Sequence, residues 1–256
     1  MSAGAGDATL VLVRHGQTTW VAEGRFQGSA DPPLSALGEQ QAAAVARRLA
    51  APHASPRLPV PPGLPLRIWH SPLARAASTA SAIWRARGED VPLAPDPGLV
   101  ELAQGDWEGH TQAEVTAGWP AELAAWRTDP VHHHAPGGEP LTDAATRAGA
   151  AVTRILADMG AAMGAVSAGT PPRSPVLGYA DPGVGGAGDI GDPDAEPWTI
   201  VVAHDGILRL ALMHLLGLPI EHYWALPFGL CSVTVVELRS GRARLRAHNL
   251  GDHLPA

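Results

Sequence analysis

The chain has 256 residues, a formal charge of −7 and 18 basic residues that form no long run, which argues against a nucleic-acid surface and allows a sizeable core. Cys231 stands alone, so no disulfide can close within the chain and a reducing, cytoplasmic setting is expected. Residues 1–7 lack a signal-like pattern, and no apolar run approaches the roughly 20 residues needed to span a bilayer, so no membrane partner is expected.

Leu10–Val13 reads as a buried parallel strand that gives way to Arg14-His15-Gly16-Gln17-Thr18. Ser35 predicts an N-cap, and the helix behind it runs through Leu49 until Pro52. Residues 52–65 are proline-rich and read as an extended surface loop. Leu66–Trp69 predicts a second strand. Ser71-Pro72 then starts a helix to about Ala86, with serine as cap and proline at the first helical position. Val91-Pro92-Leu93 predicts a short strand near an edge, because its proline cannot donate to a ladder. Residues 111–127 read as broken helices interrupted at Gly118-Trp119-Pro120, and a long alanine-rich helix follows from Thr142 or Asp143 to about Val166. Residues 167–197, crowded with glycine, proline and acids, read as a flexible insertion without a period. Trp198–Ala203 predicts a buried strand running into His204-Asp205-Gly206, then a helix over Ile207–Leu216. Cys231–Leu238 and Arg242–His248 predict a hairpin across Ser240-Gly241. These elements predict one α/β domain over residues 1–256, a three-layer sandwich whose central, mostly parallel sheet is flanked by helices.

Two strands end alike, each apolar and each stopping at a histidine with glycine close behind. In a parallel sheet their carboxyl ends share one edge, so His15 and His204 can converge on one ligand. Either histidine alone would read as a hydrogen-bonded structural residue. Arg75 falls in the first turn of its helix, where free N–H groups and the dipole favour an anion and a guanidinium suits phosphate oxygens. Taken alone, it reads rather as a solvated helix arginine.

Five segments in order resemble the histidine phosphatase superfamily, the phosphoglycerate mutase-like proteins. They are Arg14–Thr18; Gly24–Gly28 with Asp31–Ser35 and Gly38; Ser71–Leu73 with Arg75-Ala76; Glu101 with Gly105–Gly109; and Ala203–Gly206. The resemblance implies a metal-independent phosphatase, without cofactor, acting on a small phosphorylated metabolite. In it His15 attacks phosphorus and carries the phosphoryl group. Arg14, Arg75 and His204 hold and neutralise its oxygens, with Gln27 and Gly206 as further phosphate contacts. Glu101 protonates the leaving alkoxide and then activates water. Glu108 is its rival and looks structural in the Trp-Glu-Gly turn. The resemblance also makes 106–140 a lid or insertion over the site. Trp107, Trp119 and Trp126 either line that cover or pack a small subdomain.

Three positions depart from the usual pattern. Val21 replaces an asparagine that touches phosphate, Asp205 stands where glycine is common, and Leu230 replaces a frequent polar residue. Valine cannot donate, so Gln27 is the expected substitute. The Asp205 carboxylate should repel a dianion unless it points away or pairs with an arginine. His132-His133-His134 sits between Pro130 and Pro136 and reads as an exposed loop rather than a metal site. Residues 102–126 hold no Lys or Arg, which favours a phosphatase over a mutase that must hold a second phosphate. The alternatives are a phosphoglycerate mutase-type transfer and a catalytically idle module that binds phosphorylated metabolites; a homodimer is left open.

Overall fold

A computed structural model describes residues 7–168 and 196–255. The insertion expected at 167–197 therefore lies, apart from its ends, outside the described residues. In chain order the elements are β1 (Ala8–Arg14), α1 (Thr19–Ala22), α2 (Ala36–Ala50), β2 (Ile68–His70), α3 (Ala74–Ala86), β3 (Leu93–Pro95), α4 (Gln112–Gly118), α5 (Pro120–Thr128), α6 (Leu141–Ala168), β4 (Trp198–Ala203), α7 (Asp205–Leu216), β5 (Val233–Arg239) and β6 (Arg242–Leu250). Short 3₁₀ turns at Pro97–Leu99, Gly105–Trp107 and Ile220–Ala225 were not legible in the pattern.

The six strands run in the order β3-β2-β4-β1-β5-β6. Neighbours from β3 to β1 are parallel, and the β5–β6 hairpin joins antiparallel to β1. β3 takes an edge as expected, but it spans Leu93–Pro95 rather than Val91–Leu93, so Pro92 precedes the strand and Pro95 ends it. Alternation along β1 builds both core layers. Leu10 and Leu12 face α6 and α7 through Ala148, Ile155, Leu208 and Leu212. Val11 and Val13 face α2 and α3 through Val45, Leu49, Ala80 and Ile83. Four-residue apolar runs buried on both faces are the signature of inner strands, so the three-layer expectation holds.

Three local readings are corrected. The helix after β2 begins at Ala74 rather than Ser71-Pro72, because the Asp31 carboxylate accepts the Ala74 N–H at 2.8 and 3.0 Å and supplies the cap from another loop. The last crossover helix begins at Asp205, two residues earlier than its apolar period suggests. The 52–65 loop does not simply cover the surface: Leu58 and Val60 are buried against the α2–α3 layer. Between β3 and α6, the fully buried Trp107 packs with Val115 and Leu123 of α4 and α5 into a satellite core, against which Phe26, Trp119 and Trp126 lie half-buried.

Candidate active site

β1 and β4 are adjacent and parallel, with Arg14 opposite Ala203, and the His15 N–H donates to the Ala203 carbonyl at 3.0 Å. This register delivers both histidines to the same sheet edge, with ring centroids 5.0 Å apart in an edge-on arrangement. The cleft at that edge, of about 160 Å³, is lined by Arg14, His15, Gln27, Arg75, Glu101 and Gly206 among others. His204 is fully buried just behind this lining.

His15 Nδ1 lies 2.7 Å from the Gly16 carbonyl, which can only accept, so the proton sits on Nδ1 and the Nε2 lone pair is free. Burial, then the cations of Arg14 and Arg75, hold its pKa well below the ordinary 6.5, so the ring is neutral. A nucleophilic imidazole needs both conditions. Gly16 permits the tight exit from β1: a Cβ there would sit 2.5 Å from the Gly38 carbonyl oxygen.

The two arginines are held differently. Arg14 Nη1 donates to Phe228 O at 2.7 Å, whereas its buried Nε has no acceptor among the described residues. An unpaired guanidinium N–H beside a cleft is suited to donate to an anion's oxygen. Arg75 is fully buried; its Nη1 donates to Ala30 O at 2.6 Å, its Nη2 to Gly28 O at 2.8 Å and its Nε to His204 Nδ1 at 3.2 Å. Glu108 builds that carbonyl cradle by accepting the N–H groups of Ser29, Ala30 and Gln104, each at 2.9 Å. Glu108 thus has its carboxylate engaged by the backbone of the loop that holds Arg75.

With Nδ1 accepting from Arg75, His204 presents Nε2 to Ser71 Oγ at 2.8 Å. Burial, His15 and both arginines push its pKa well down. His204 is therefore neutral in the free protein, and the clamp's positive charge comes from Arg14 and Arg75. The resemblance implied that His204 helps neutralise the phosphoryl oxygens, and its neutral ring corrects that. Ser71, read from sequence as a helix cap, turns out to orient His204.

Glu101 occupies the N-terminus of α7. His204 is the N-cap there without a side-chain bond, and the Glu101 carboxylate takes its place. Oε1 accepts from Leu102 N at 3.0 Å and Ile207 N at 3.1 Å, and Oε2 accepts from Gly206 N at 3.1 Å. Three N–H bonds favour the anion, yet burial outweighs them and raises the pKa, helped by the Asp205 charge. The result is a fixed carboxyl group biased toward its acid form. Gly206 spends its N–H on this carboxylate rather than on a phosphate contact, and a Cβ there would come within 2.7 Å of Glu101 Oε1.

Gln27 lines the cleft and is oriented by the Thr18 hydroxyl, which donates to its Oε1 at 2.7 Å; this leaves the amide N–H groups for a ligand. The worry over Asp205 resolves in the pairing sense. Arg209 donates to it at 2.9 and 2.7 Å, and Phe228 N–H at 2.9 Å. The histidine triplet faces outward: His132 pairs with Asp129 at 2.9 Å and His134 Nδ1 lies 2.9 Å from Ala135 O. The tryptophans divide between the two roles, Trp107 in the satellite core and Trp126 on the cleft. Sequence reasoning missed Tyr223 and Trp224, which also line the cleft; a short 3₁₀ turn carries no period that would flag them.

The model of the histidine phosphatase superfamily (branch 1) matches residues 10–176 and 191–251. The chain is 33% identical over 230 residues to a glucosyl-3-phosphoglycerate phosphatase of Mycolicibacterium vanbaalenii, spanning 90% of this chain and 83% of the relative. It superposes on a mycobacterial glucosyl-3-phosphoglycerate phosphatase in complex with VO3 with a TM-score of 0.71 at 31% identity, covering 95% of this chain and 99% of that one. Bacillus stearothermophilus YhfR aligns with a TM-score of 0.72 at 25% identity, over 97% and 100% of the two chains.

Proposed function

This chain belongs to the histidine phosphatase superfamily and is a phosphomonoesterase, and we propose that it works through a phosphohistidine formed on His15. The observation that carries this reading is the neutral His15 ring, its Nε2 lone pair free, in a cleft shared with two guanidiniums and a raised-pKa carboxyl group.

In the first step the His15 Nε2 lone pair forms the N–P bond as the ester P–O bond breaks. The electron pair goes to the leaving oxygen, which takes the proton of Glu101. Arg14, through its orphaned Nε, and Arg75, through the N–H groups its carbonyl cradle leaves over, neutralise charge on the equatorial oxygens. Gln27 adds a neutral donor. In the second step Glu101, now a carboxylate, takes a proton from water as the water oxygen bonds to phosphorus and the N–P bond breaks. Inorganic phosphate leaves and His15 is restored. Two fixed cations supply the positive charge, so neither step calls for a metal ion.

Hydrolysis is favoured over phosphoryl shuttling because Arg14 and Arg75 are the cations lining the cleft among the described residues, and both are assigned to the phosphoryl group that His15 takes up. A mutase must also hold a second phosphate. The segment 106–140 serves as the cover, with Trp126 of α5 at the cleft mouth. The relatives' glucosyl-3-phosphoglycerate is the first substrate to try. Inorganic phosphate should appear in step with its loss, and His15→Ala should abolish release. Isomerised phosphoglycerate without free phosphate, or activity untouched by His15→Ala, would refute the reading.

A further inference from the structure

The inner end of the cleft is accounted for by the phosphoryl group; its outer end is built from other materials. Phe26, Trp126, Tyr223 and Trp224 present ring surfaces there. The Trp126 and Trp224 rings meet edge to face at 4.8 Å, and Tyr223 meets Trp224 at the same separation. Trp224 remains 40% exposed, so a large apolar ring is left open at the mouth. Large exposed aromatic surface on a ligand cleft is a stacking platform.

Glu101 and Asp205 are the acids lining the cleft, and among the described residues Arg14 and Arg75 are its only lining cations. Arg209, a further guanidinium beside these residues, has its charge paired: it donates twice to Asp205 and once to the Tyr223 carbonyl at 3.1 Å. Its guanidinium is also sandwiched 5.3 and 5.4 Å from the Tyr223 and Trp224 ring centroids. A second anionic group on a substrate would find Arg14 and Arg75 taken by the phosphoryl group and Arg209 already paired with Asp205. Gln104 adds the remaining clue. It lines the same cleft, and its buried Oε1 receives no donor among the described residues. A buried acceptor without a donor is costly to leave so, and a ligand hydroxyl satisfies it where a carboxylate cannot.

We infer that the leaving alcohol is recognised through an uncharged, hydroxyl-bearing ring that stacks on Trp224 and Trp126 and donates to Gln104, and that no second anion is read. This rests on the phosphatase reading and narrows its substrate class to phosphorylated sugars or glycosides whose ring, not any carboxylate, provides recognition.

Four substrates form a square that tests it: glycerol 3-phosphate, 3-phosphoglycerate, glucosylglycerol 3-phosphate and glucosyl-3-phosphoglycerate. Adding the ring should raise kcat/KM at least tenfold in both pairs, and adding the carboxylate should give no gain in either. Trp224→Ala should collapse the ring advantage at least fivefold while Trp224→Phe keeps most of it; the ratio is read within each variant, so a change in folded fraction cancels. A ring effect under threefold, or a carboxylate that raises kcat/KM tenfold, would overturn the inference and leave the phosphatase intact. If none of the four releases phosphate, or release survives His15→Ala, the phosphatase reading itself has failed.

Discussion

Glu101→Gln separates the two chemical steps, and its consequences follow from three hydrogen bonds. In the wild type Oε1 serves Leu102 and Ile207 while Oε2 serves Gly206. Glutamine can keep the first two on its single oxygen, but its NH₂ then faces the Gly206 N–H, donor against donor. Leaving that N–H unsatisfied costs about 1–3 kcal/mol, a fall of roughly 2–4 °C in Tm for each kcal/mol in a chain of this size. The fold survives, so activity can be read. Loss of proton transfer costs about 10²–10⁴ in rate, or roughly 2.7–5.5 kcal/mol of barrier. The size should depend on the leaving group. An alkoxide must be protonated as it departs, so phosphorylation of His15 by an alkyl phosphate should slow by the full factor. A p-nitrophenolate departs unaided, so phosphorylation by p-nitrophenyl phosphate should stay fast while water attack slows. Stopped-flow absorbance should then show a burst of one p-nitrophenolate per active site, followed by slow turnover. Equal losses for alkyl and aryl esters without a burst would refute the assignment of Glu101, as would wild-type turnover.

Arg147 of α6 is expected to act on the reaction without touching substrate. Its Nη1 donates to Gly98 O at 3.0 Å and Val100 O at 2.7 Å, while Glu139, paired to it at 2.7 Å, donates its N–H to Ala103 O at 2.9 Å. The segment carrying Glu101 is thus gripped on both sides. Arg147→Gln should lower kcat by about 10–100-fold with KM little changed, since a small misplacement of a reacting group is that costly. Arg147→Lys should recover part of the loss, and a parallel rise in KM would argue for a general loosening instead. The pH profile of kcat/KM should be bell-shaped. Its acid limb reports His15, which stays neutral to well below pH 6.5, and its alkaline limb reports Glu101, whose raised pKa keeps the acid form above the ordinary 4.5. Arg14→Gln removes a cation that opposes protonation of His15, so the acid limb should move to higher pH. Comparing the two proteins on one substrate cancels the substrate's own ionisation, and an unmoved or lowered limb would contradict the electrostatics.

Much of this site could be read before any coordinates. Strands that are buried on both faces announce themselves as unbroken apolar runs, and Leu10–Val13 and Trp198–Ala203 did so along with the histidines that end them. Ser35 and the Ser240-Gly241 turn were legible because caps and tight turns use local chemistry. Non-local chemistry was not. Asp31 caps α3 from another loop, which displaced the expected helix start and freed Ser71 to orient His204. The pairing of Asp205 with Arg209 is an i, i+4 contact within α7, visible only once the helix start is placed two residues earlier. Trp224 and Tyr223 sit in a 3₁₀ turn with no period, and the meeting of Trp224 with Trp126 of α5 joins segments nearly a hundred residues apart in sequence. Gly206 read as a phosphate contact because its neighbours suggested one, but its N–H is taken by Glu101.

The most direct test is to catch the phosphoryl group in transit. Glu101→Gln protein mixed with ³²P-labelled p-nitrophenyl phosphate, quenched in alkali and digested, should carry one label per chain on the peptide containing His15. That label should be stable in base, lost in acid and absent when His15→Ala is added. Label on a serine or another histidine, or full phosphate release with no labelled protein at any time, would contradict nucleophilic catalysis by His15.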